Sequence, residues 1–278
     1  MYEYLIDDLL ALVESASERI LDIYQQPIAV AVKADQSPLT QADVAAHEVL
    51  VKGLNRLLPE VPIMSEEGAL VAFNQRRHWQ RYWLIDPLDG TKEFIDKNGE
   101  FTVNIALIEH GQPILGVVGV PVTGVMYWGM RGIGAFKVRP SCSDKQSLST
   151  RLLSQASDNG LNVLVSRRHG MGVSSESIVQ RELEQHFTSV QYNGYGSSLK
   201  FCLIAEGVAD FYPRLAPTSE WDTAAAQAIV EAAGGQVCDF ACKPLRYNTK
   251  ISLLNPSFYV VGDPSYPWDG LLSQIIAE

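Results

Sequence analysis

The run Trp83-Leu-Ile-Asp-Pro-Leu-Asp-Gly-Thr91 constrains this chain more than any other. Its apolar, β-prone start reads as a mostly buried strand. Pro87 holds Asp86 to extended backbone and brings no N–H of its own. Gly90 permits a tight turn, and Thr91 can open a short helix. Asp86 and Asp89 therefore stand at the C-terminal end of a strand, where open α/β architectures bind their ligands. At ~5 Å and an effective dielectric of ~20, the two carboxylates repel by roughly 3 kcal/mol. A hard divalent cation turns that cost into a binding site, and Mg²⁺ favours carboxylates together with phosphate oxygens. The same Asp-x-x-Asp also suits two acids capping a strand-to-helix turn, so the motif alone leaves both readings open.

The flanking patterns say what such a strand packs into. Leu5, Leu9, Leu12, Ala16, Ile20 and Ile23 recur every three or four residues, which predicts an amphipathic helix closed by Pro27. A second helix is predicted from an N-cap at Thr40, with Ala46, Leu50, Leu54 and Leu57 on its apolar face, to Pro59. The runs YWLID, FTVNIALIE, PILGVVGV, GVMYWGM and GAFKV predict a sheet covered by these helices. RPSCSDKQSLSTRLLSQASDNG is polar and turn-rich and predicts an internal boundary. Beyond it, strands (NVLVS, SVQYN, ADFYPR, QVCDF) alternate with helices (SSESIVQRELEQHF, SSLKFCLIAEG, WDTAAAQAIVEAAGG), the mark of an α/β half. The expected fold class is α/β: an α+β half over 1–155 and an α/β half over 156–278.

Totals narrow the function. With 22 Lys plus Arg against 32 Asp plus Glu, the formal charge is −10. That disfavours a partner as broad as duplex nucleic acid but leaves a small anion open if local cations reverse the sign. The four cysteines do not suggest a disulfide scaffold. Cys238 and Cys242 lack a second Cys/His pair and read as reduced cysteines, not as a zinc site. The N-terminus lacks the basic start of a secretory signal, so the expected location is cytoplasmic.

Three further acidic stretches stand out. Ser65-Glu66-Glu67-Gly68 follows a short apolar strand; alone, such glutamates are usually solvated. Trp221-Asp222-Thr223 opens a helix, where an aspartate often caps. Asp35 and Asp43 flank SPLTQA, and either could cap the second helix. Together, SEEG, DPLDGT and WDTAAAQAIVEAAGG, in this order and at these distances, resemble the lithium-sensitive, Mg²⁺-dependent phosphatase superfamily of inositol monophosphatase and fructose-1,6-bisphosphatase. KADQSPLTQAD, NGEFTVNIALIEHGQPILGVV, GSSLKFCLIAEG and PTSEWDTAA are similar to its bacterial 3′(2′),5′-bisphosphate nucleotidase branch. The resemblance spans about residues 5–262.

It implies a layered αβαβα sandwich, in which Glu66, Asp86, Asp89 and Asp222 with the carbonyl of Leu88 hold two Mg²⁺ ions, or three with one near Asp43. The scissile phosphate would meet the N–H groups of Gly90 and Thr91. A water would be activated by Thr91, oriented by Asp43, with Glu66 assisting. Spacing alone does not pair positions 43 and 91. On the substrate side the resemblance implies His169 against the nucleoside and Ser197 and Lys200 on the phosphate that is not cleaved. Residues of GYGSSLK open a helix and suit an anion, and Arg214 could pair bidentately with the same phosphate.

The implied reaction is hydrolysis of adenosine 3′,5′-bisphosphate to AMP and phosphate, in sulfur assimilation and nucleotide recycling. The implied partner is this small nucleotide. A monomer is favoured over a dimer, and peripheral contact with the cytoplasmic face of the inner membrane occurs in some members. Inositol monophosphatase activity is the alternative, which would need polyol contacts near the metals. A non-catalytic nucleotide- or metal-binding module would be favoured by loss of Thr91 or of a metal acid, and all are present.

Overall fold

The computed structural model describes residues 2–27, 30–32, 38–139, 142–153, 160–167 and 174–276. In chain order it contains α1 (Ile6–Tyr24), a ribbon of β1 (Val30–Val32) and β2 (Pro38–Thr40), α2 (Gln41–Leu57), β3 (Ile63–Ser65), short α3 (Phe73–Arg76), β4 (Arg81–Asp89) and short α4 (Thr91–Ile95). Five strands follow: β5 (Thr102–Glu109), β6 (Gln112–Val120), β7 (Val125–Met130), β8 (Gly134–Arg139) and β9 (Cys142–Leu148). The remainder is β10 (Gly160–Ser166), α5 (Ser174–His186), β11 (Ser189–Tyr195), α6 (Leu199–Ala205), β12 (Phe211–Arg214), α7 (Glu220–Ala232), β13 (Gln236–Asp239), β14 (Phe258–Val261) and α8 (Trp268–Ile276).

The strands form a seven-stranded sheet in the order β3-β4-β5-β6-β7-β8-β9 and a five-stranded sheet in the order β11-β10-β12-β14-β13. Along β4, Trp83 and Ile85 enter a core with Leu9, Val13 and Ile20 of α1 and Leu50 and Leu54 of α2. Tyr82 and Leu84, pointing the other way, join Ile204 of α6 and Ala225 and Ile229 of α7. This period-2 division explains why Tyr82–Ile85 is apolar at every position: both faces are covered. The second sheet packs Val163 and Phe211 against Val179 and Leu183 of α5 and Trp268 and Leu272 of α8. The layers therefore run αβαβα, as the resemblance implied.

The central layer sits unusually close to the first sheet. A side chain at Gly116 of β6 would begin 2.0 Å from the carbonyl oxygen of Ala225 in α7, and one at Gly129 of β7 would begin 2.5 Å from Cα of Ile229. Only glycine lets the helix axis come this near the sheet.

Several elements differ from the sequence reading, among them β2 and α3, which were not assigned, and two strands of the main sheets. The polar segment expected as a boundary contains β9, which pairs antiparallel with β8 through Leu148↔Ala135 and Gln146↔Lys137. An edge strand with exposed Lys145, Gln146 and Ser147 carries no apolar alternation to betray it. β14, unassigned from sequence, lies between β12 and β13 and is antiparallel to both. The division expected at 155/156 falls outside the described residues.

Candidate functional site

The site forms where β4 ends. Between Asp86 and Asp89 the pairing with β5 shifts register: Asp86 opposes Asn104 and Asp89 opposes Thr102. Three steps on β4 thus match two on β5, a bulge of one residue. Without it, positions three apart would point to opposite faces. With it, both acids share the face of Thr102 and Asn104, the face on which α6 and α7 lie. Pro87, with no N–H to give, tolerates the bulge.

The neighbouring elements bring in the other acids. β3 runs parallel to β4 with Ser65 beside Ile85, and the Glu66 N–H continues the ladder to the Ile85 carbonyl at 3.2 Å. Asp222 is delivered by the start of α7, whose N-cap is Ser219; the Asp222 carboxylate accepts the Ser219 N–H at 2.9 Å. It is thus the fourth residue of a capping box, not the N-cap. Carboxylate oxygens of Glu66, Asp86 and Asp222 all lie within 4.8 Å of one another.

Asp43 repeats the device on α2. Its Oδ2 accepts the N–H of the N-cap Thr40 at 2.8 Å and the Thr40 hydroxyl at 2.6 Å. Its Oδ1 accepts the Thr91 hydroxyl at 3.1 Å. The pairing of 43 with 91, which spacing could not supply, is therefore direct. Gly90, with φ of 92°, makes the left-handed turn that places Thr91 at the head of α4. The Asp86 carboxylate turns back on its own loop and accepts the Leu88 N–H at 3.0 Å.

Electrostatics set these acids apart from the rest of the surface. Burial pushes Asp86 well above the usual carboxylate range, and the charges of Glu66, Asp89, Asp222 and Asp43 add to the shift. Asp222 is raised in the same way, by burial and then by Asp89 and Glu66. Asp89 is raised to about 6 by burial, against opposing pulls from Lys200 and the Ser198 N–H. Acids that hold protons so tightly are ones a divalent cation relieves. Three oxygens at this spacing, all hard donors, suit such an ion. They are the residues that would hold it, with Asp89 alongside.

Next to the acids opens a cleft of about 140 Å³ lined by Asp89, Gly90, Ser197, Lys200, Arg214 and Asp222, among others. Its floor is the turn before α6. Ser197 has φ of 46°, in the left-handed region. Lys200 is buried and donates to the carbonyls of Ser197 at 2.7 Å and Tyr195 at 3.1 Å. Burial lowers its ammonium to about 8, against the pull of Asp89. Arg214 donates through Nη2 to the Pro217 carbonyl, while its buried Nε has no hydrogen-bond partner among the described residues. His169 lies outside the described residues, as does Asp35.

Some residues of the site gave no signal in the sequence. Ser198 donates its N–H to Asp89 Oδ2 at 2.6 Å and its hydroxyl to Asn104 at 2.8 Å, with the Thr102 hydroxyl 2.8 Å away. This buried knot ties the turn of the second half to β4 and β5 of the first. Thr102 and Asn104 read as two polar interruptions in FTVNIALIE, the one hint that this strand faces something other than a core.

Comparison with known proteins adds the relationships. The model of the inositol monophosphatase family matches residues 1–269. The 3′(2′),5′-bisphosphate nucleotidase CysQ of Escherichia coli (strain K12) is 47% identical over 258 residues, 92% of this chain and 99% of that protein. The enzyme of the same name from Aggregatibacter actinomycetemcomitans is 36% identical over 267 residues, 96% of each chain. The crystal structure of CysQ from Bacteroides thetaiotaomicron, a bacterial member of the inositol monophosphatase family, superposes with a TM-score of 0.79 at 39% identity, covering 94% of this chain and 99% of that one.

Proposed function

The chain belongs to the inositol monophosphatase family, and on that premise we propose that it is a 3′(2′),5′-bisphosphate nucleotidase acting on adenosine 3′,5′-bisphosphate. It is a phosphatase dependent on a divalent metal, and Mg²⁺ is the ion its all-oxygen donor set fits best. Glu66, Asp86, Asp89 and Asp222, with the Leu88 carbonyl, would hold two ions, or three with one near Asp43. Bound there, the metal would neutralise phosphoryl oxygens and lower the pKa of a water.

The chain's own residues supply the rest. Thr91 gives its hydroxyl hydrogen to Asp43, which leaves the lone pairs of Oγ1 to accept from an attacking water and aim it. Gly90 and Thr91 offer N–H groups to the scissile phosphate. Ser197, Lys200 and Arg214 would take the phosphate that stays, and His169 the nucleoside. The observation that carries the nucleotide reading over inositol monophosphatase is that two cationic side chains, Lys200 and Arg214, line the same cleft as Asp89 and Asp222. A guanidinium beside an ammonium suits a second phosphate, which a monophosphate ester such as inositol 1-phosphate does not bring.

Among the described residues no helix is long and apolar enough to cross a membrane. A monomer working in the cytoplasm is the arrangement we favour. The test is phosphate release from adenosine 3′,5′-bisphosphate and inositol 1-phosphate, side by side, with Mg²⁺ and with EDTA. A Mg²⁺-dependent preference for the bisphosphate is expected. A preference for the inositol ester would leave the metal acids standing and overturn the reading of the cleft.

A further inference from the structure

The cleft's floor is held from two sides, and only one of them is the Ser198 knot. On the other side stands Glu100, in the loop before β5. Its Oε2 accepts the Gly196 N–H at 2.8 Å. The same carboxylate pairs with Arg167 at the end of β10, receiving Nε at 2.9 Å and Nη2 at 2.5 Å. Arg167 in turn gives Nη2 to the Gly194 carbonyl at 3.0 Å. One acid of the first half thus grips two strands of the second.

The loop that carries Glu100 is itself braced. The Asn98 side chain accepts the Glu100 N–H at 2.9 Å, and Lys97 donates to the carbonyls of Tyr24, the last residue of α1, and of Gln26. Gly196 must remain a glycine for the contact to exist: a side chain there would begin 2.6 Å from Cγ of Glu93 and 2.8 Å from the Glu100 carbonyl oxygen. Between the Gly196 N–H, spent on Glu100, and the Ser198 N–H, spent on Asp89, Ser197 has no freedom to leave its left-handed conformation.

We infer that Glu100 and Arg167 are positioning residues that set substrate specificity, because their bidentate pair fixes the Gly196-Ser197-Ser198 turn against which the uncleaved phosphate of the nucleotide rests. The inference rests on the proposed nucleotidase function. The pair's hydrogen bonds run to Gly194 and Gly196 and not to the metal acids, and Asp89 keeps its own tie to the Ser198 N–H, so loss of the pair should blur recognition of the second phosphate more than the chemistry at the first. The pair is also partly exposed, with the Arg167 side chain 48% accessible. Glu100 is the more enclosed partner, its side chain 17% accessible, so a thermal melt of each variant accompanies the kinetics and separates lost geometry from lost fold.

The experiment compares kcat and KM for adenosine 3′,5′-bisphosphate and for adenosine 3′-monophosphate, which lacks the second phosphate, in wild type, Glu100→Ala, Glu100→Gln and Arg167→Met. The kcat/KM ratio of bisphosphate to monophosphate should fall about tenfold in Glu100→Ala, through KM, the size of one lost charge-assisted contact. Glu100→Gln keeps an acceptor for the Gly196 N–H and loses the ion pair, so it should match Arg167→Met and fall between Ala and wild type. A wild type without a bisphosphate preference would overturn the proposed function. A wild-type preference that survives in Glu100→Ala and Glu100→Gln, or a drop shared equally by both substrates, would overturn this inference alone.

Discussion

Asp43→Asn tests the site at its most specific point. The two oxygens of Asp43 are not equivalent: Oδ2 takes two donors from Thr40, while Oδ1 takes one from Thr91. An asparagine has a single acceptor oxygen, and Thr40 dictates where it goes. The Thr40 N–H cannot face an amide NH₂, so the carboxamide oxygen must occupy the Oδ2 position and the NH₂ must face Thr91. The hydrogen bond between 43 and 91 then reverses polarity. Thr91 Oγ1 becomes the acceptor and spends one of its two lone pairs on the amide, while its hydrogen, no longer held by position 43, is free to turn toward the water, so the hydroxyl ceases to be an oriented acceptor.

The expected loss is one hydrogen bond to a charged group, about 1.5–3 kcal/mol. Read as a barrier, that is roughly a 10- to 100-fold fall in kcat. KM should change little, because no atom of Asp43 lines the cleft. The helix start keeps its cap, so the cost in stability is about 1 kcal/mol or less. Steady-state phosphate release at saturating Mg²⁺, with a thermal melt in parallel, measures both. A kcat within threefold of wild type, in a protein that melts normally, would refute the assignment of Asp43 to Thr91.

Other expectations follow from the same geometry. Asp89 is raised from 3.8 to about 6 in the folded chain, so folding favours its protonated form; on its account the metal-free protein loses stability as pH rises from 4 through 6. Asp86 and Asp222 shift in the same direction. Mg²⁺ should therefore raise the melting temperature more at pH 8 than at pH 5, and an equal increment at both would contradict the clustering. Gly116→Ala drives a Cβ into the Ala225 carbonyl and should lower the melting temperature by about 5 °C or more; calorimetry showing no change would mean α7 sits farther from the sheet. Arg214→Met should raise KM for the bisphosphate about tenfold with little effect on kcat, and an unchanged KM would take Arg214 out of the phosphate site.

Much of this was legible before any coordinates. Helices α1 and α2 follow from their periodic apolar faces, and the capping box of α2 falls at the predicted Thr40, whereas that of α7 begins at Ser219, ahead of the Trp221-Asp222 start read from sequence. The acids of SEEG, DPLDGT and WDT were each ambiguous alone, because a capping acid and a metal acid look alike in sequence. The structure shows why the ambiguity is real: Asp222 caps α7 and faces Glu66 and Asp86 at once. What stayed hidden has a common cause. The bulge at Pro87, the Ser198 knot and the Glu100–Arg167 pair all join residues far apart in the chain or depend on register, and local pattern carries neither; the Asp43–Thr91 bond is of the same kind and was supplied by the family resemblance alone. β9 was lost because an exposed edge strand has no buried face to impose alternation.

The close seat of α7 on the glycines of β6 and β7 has a consequence for how the protein is made. The seven-stranded sheet is complete in sequence at Leu148, whereas the helix that covers its second face ends at Ala232, 84 residues later. At about 5–20 residues per second, the ribosome finishes that helix roughly 4–17 s after the last strand of the sheet. Through this interval Leu84, Ala106, Val118 and Tyr127 lack the cover that α7 gives them in the finished fold. The carboxylate that completes the acid cluster arrives on the same late helix, so each newly made chain gains its metal site only when its most vulnerable surface closes.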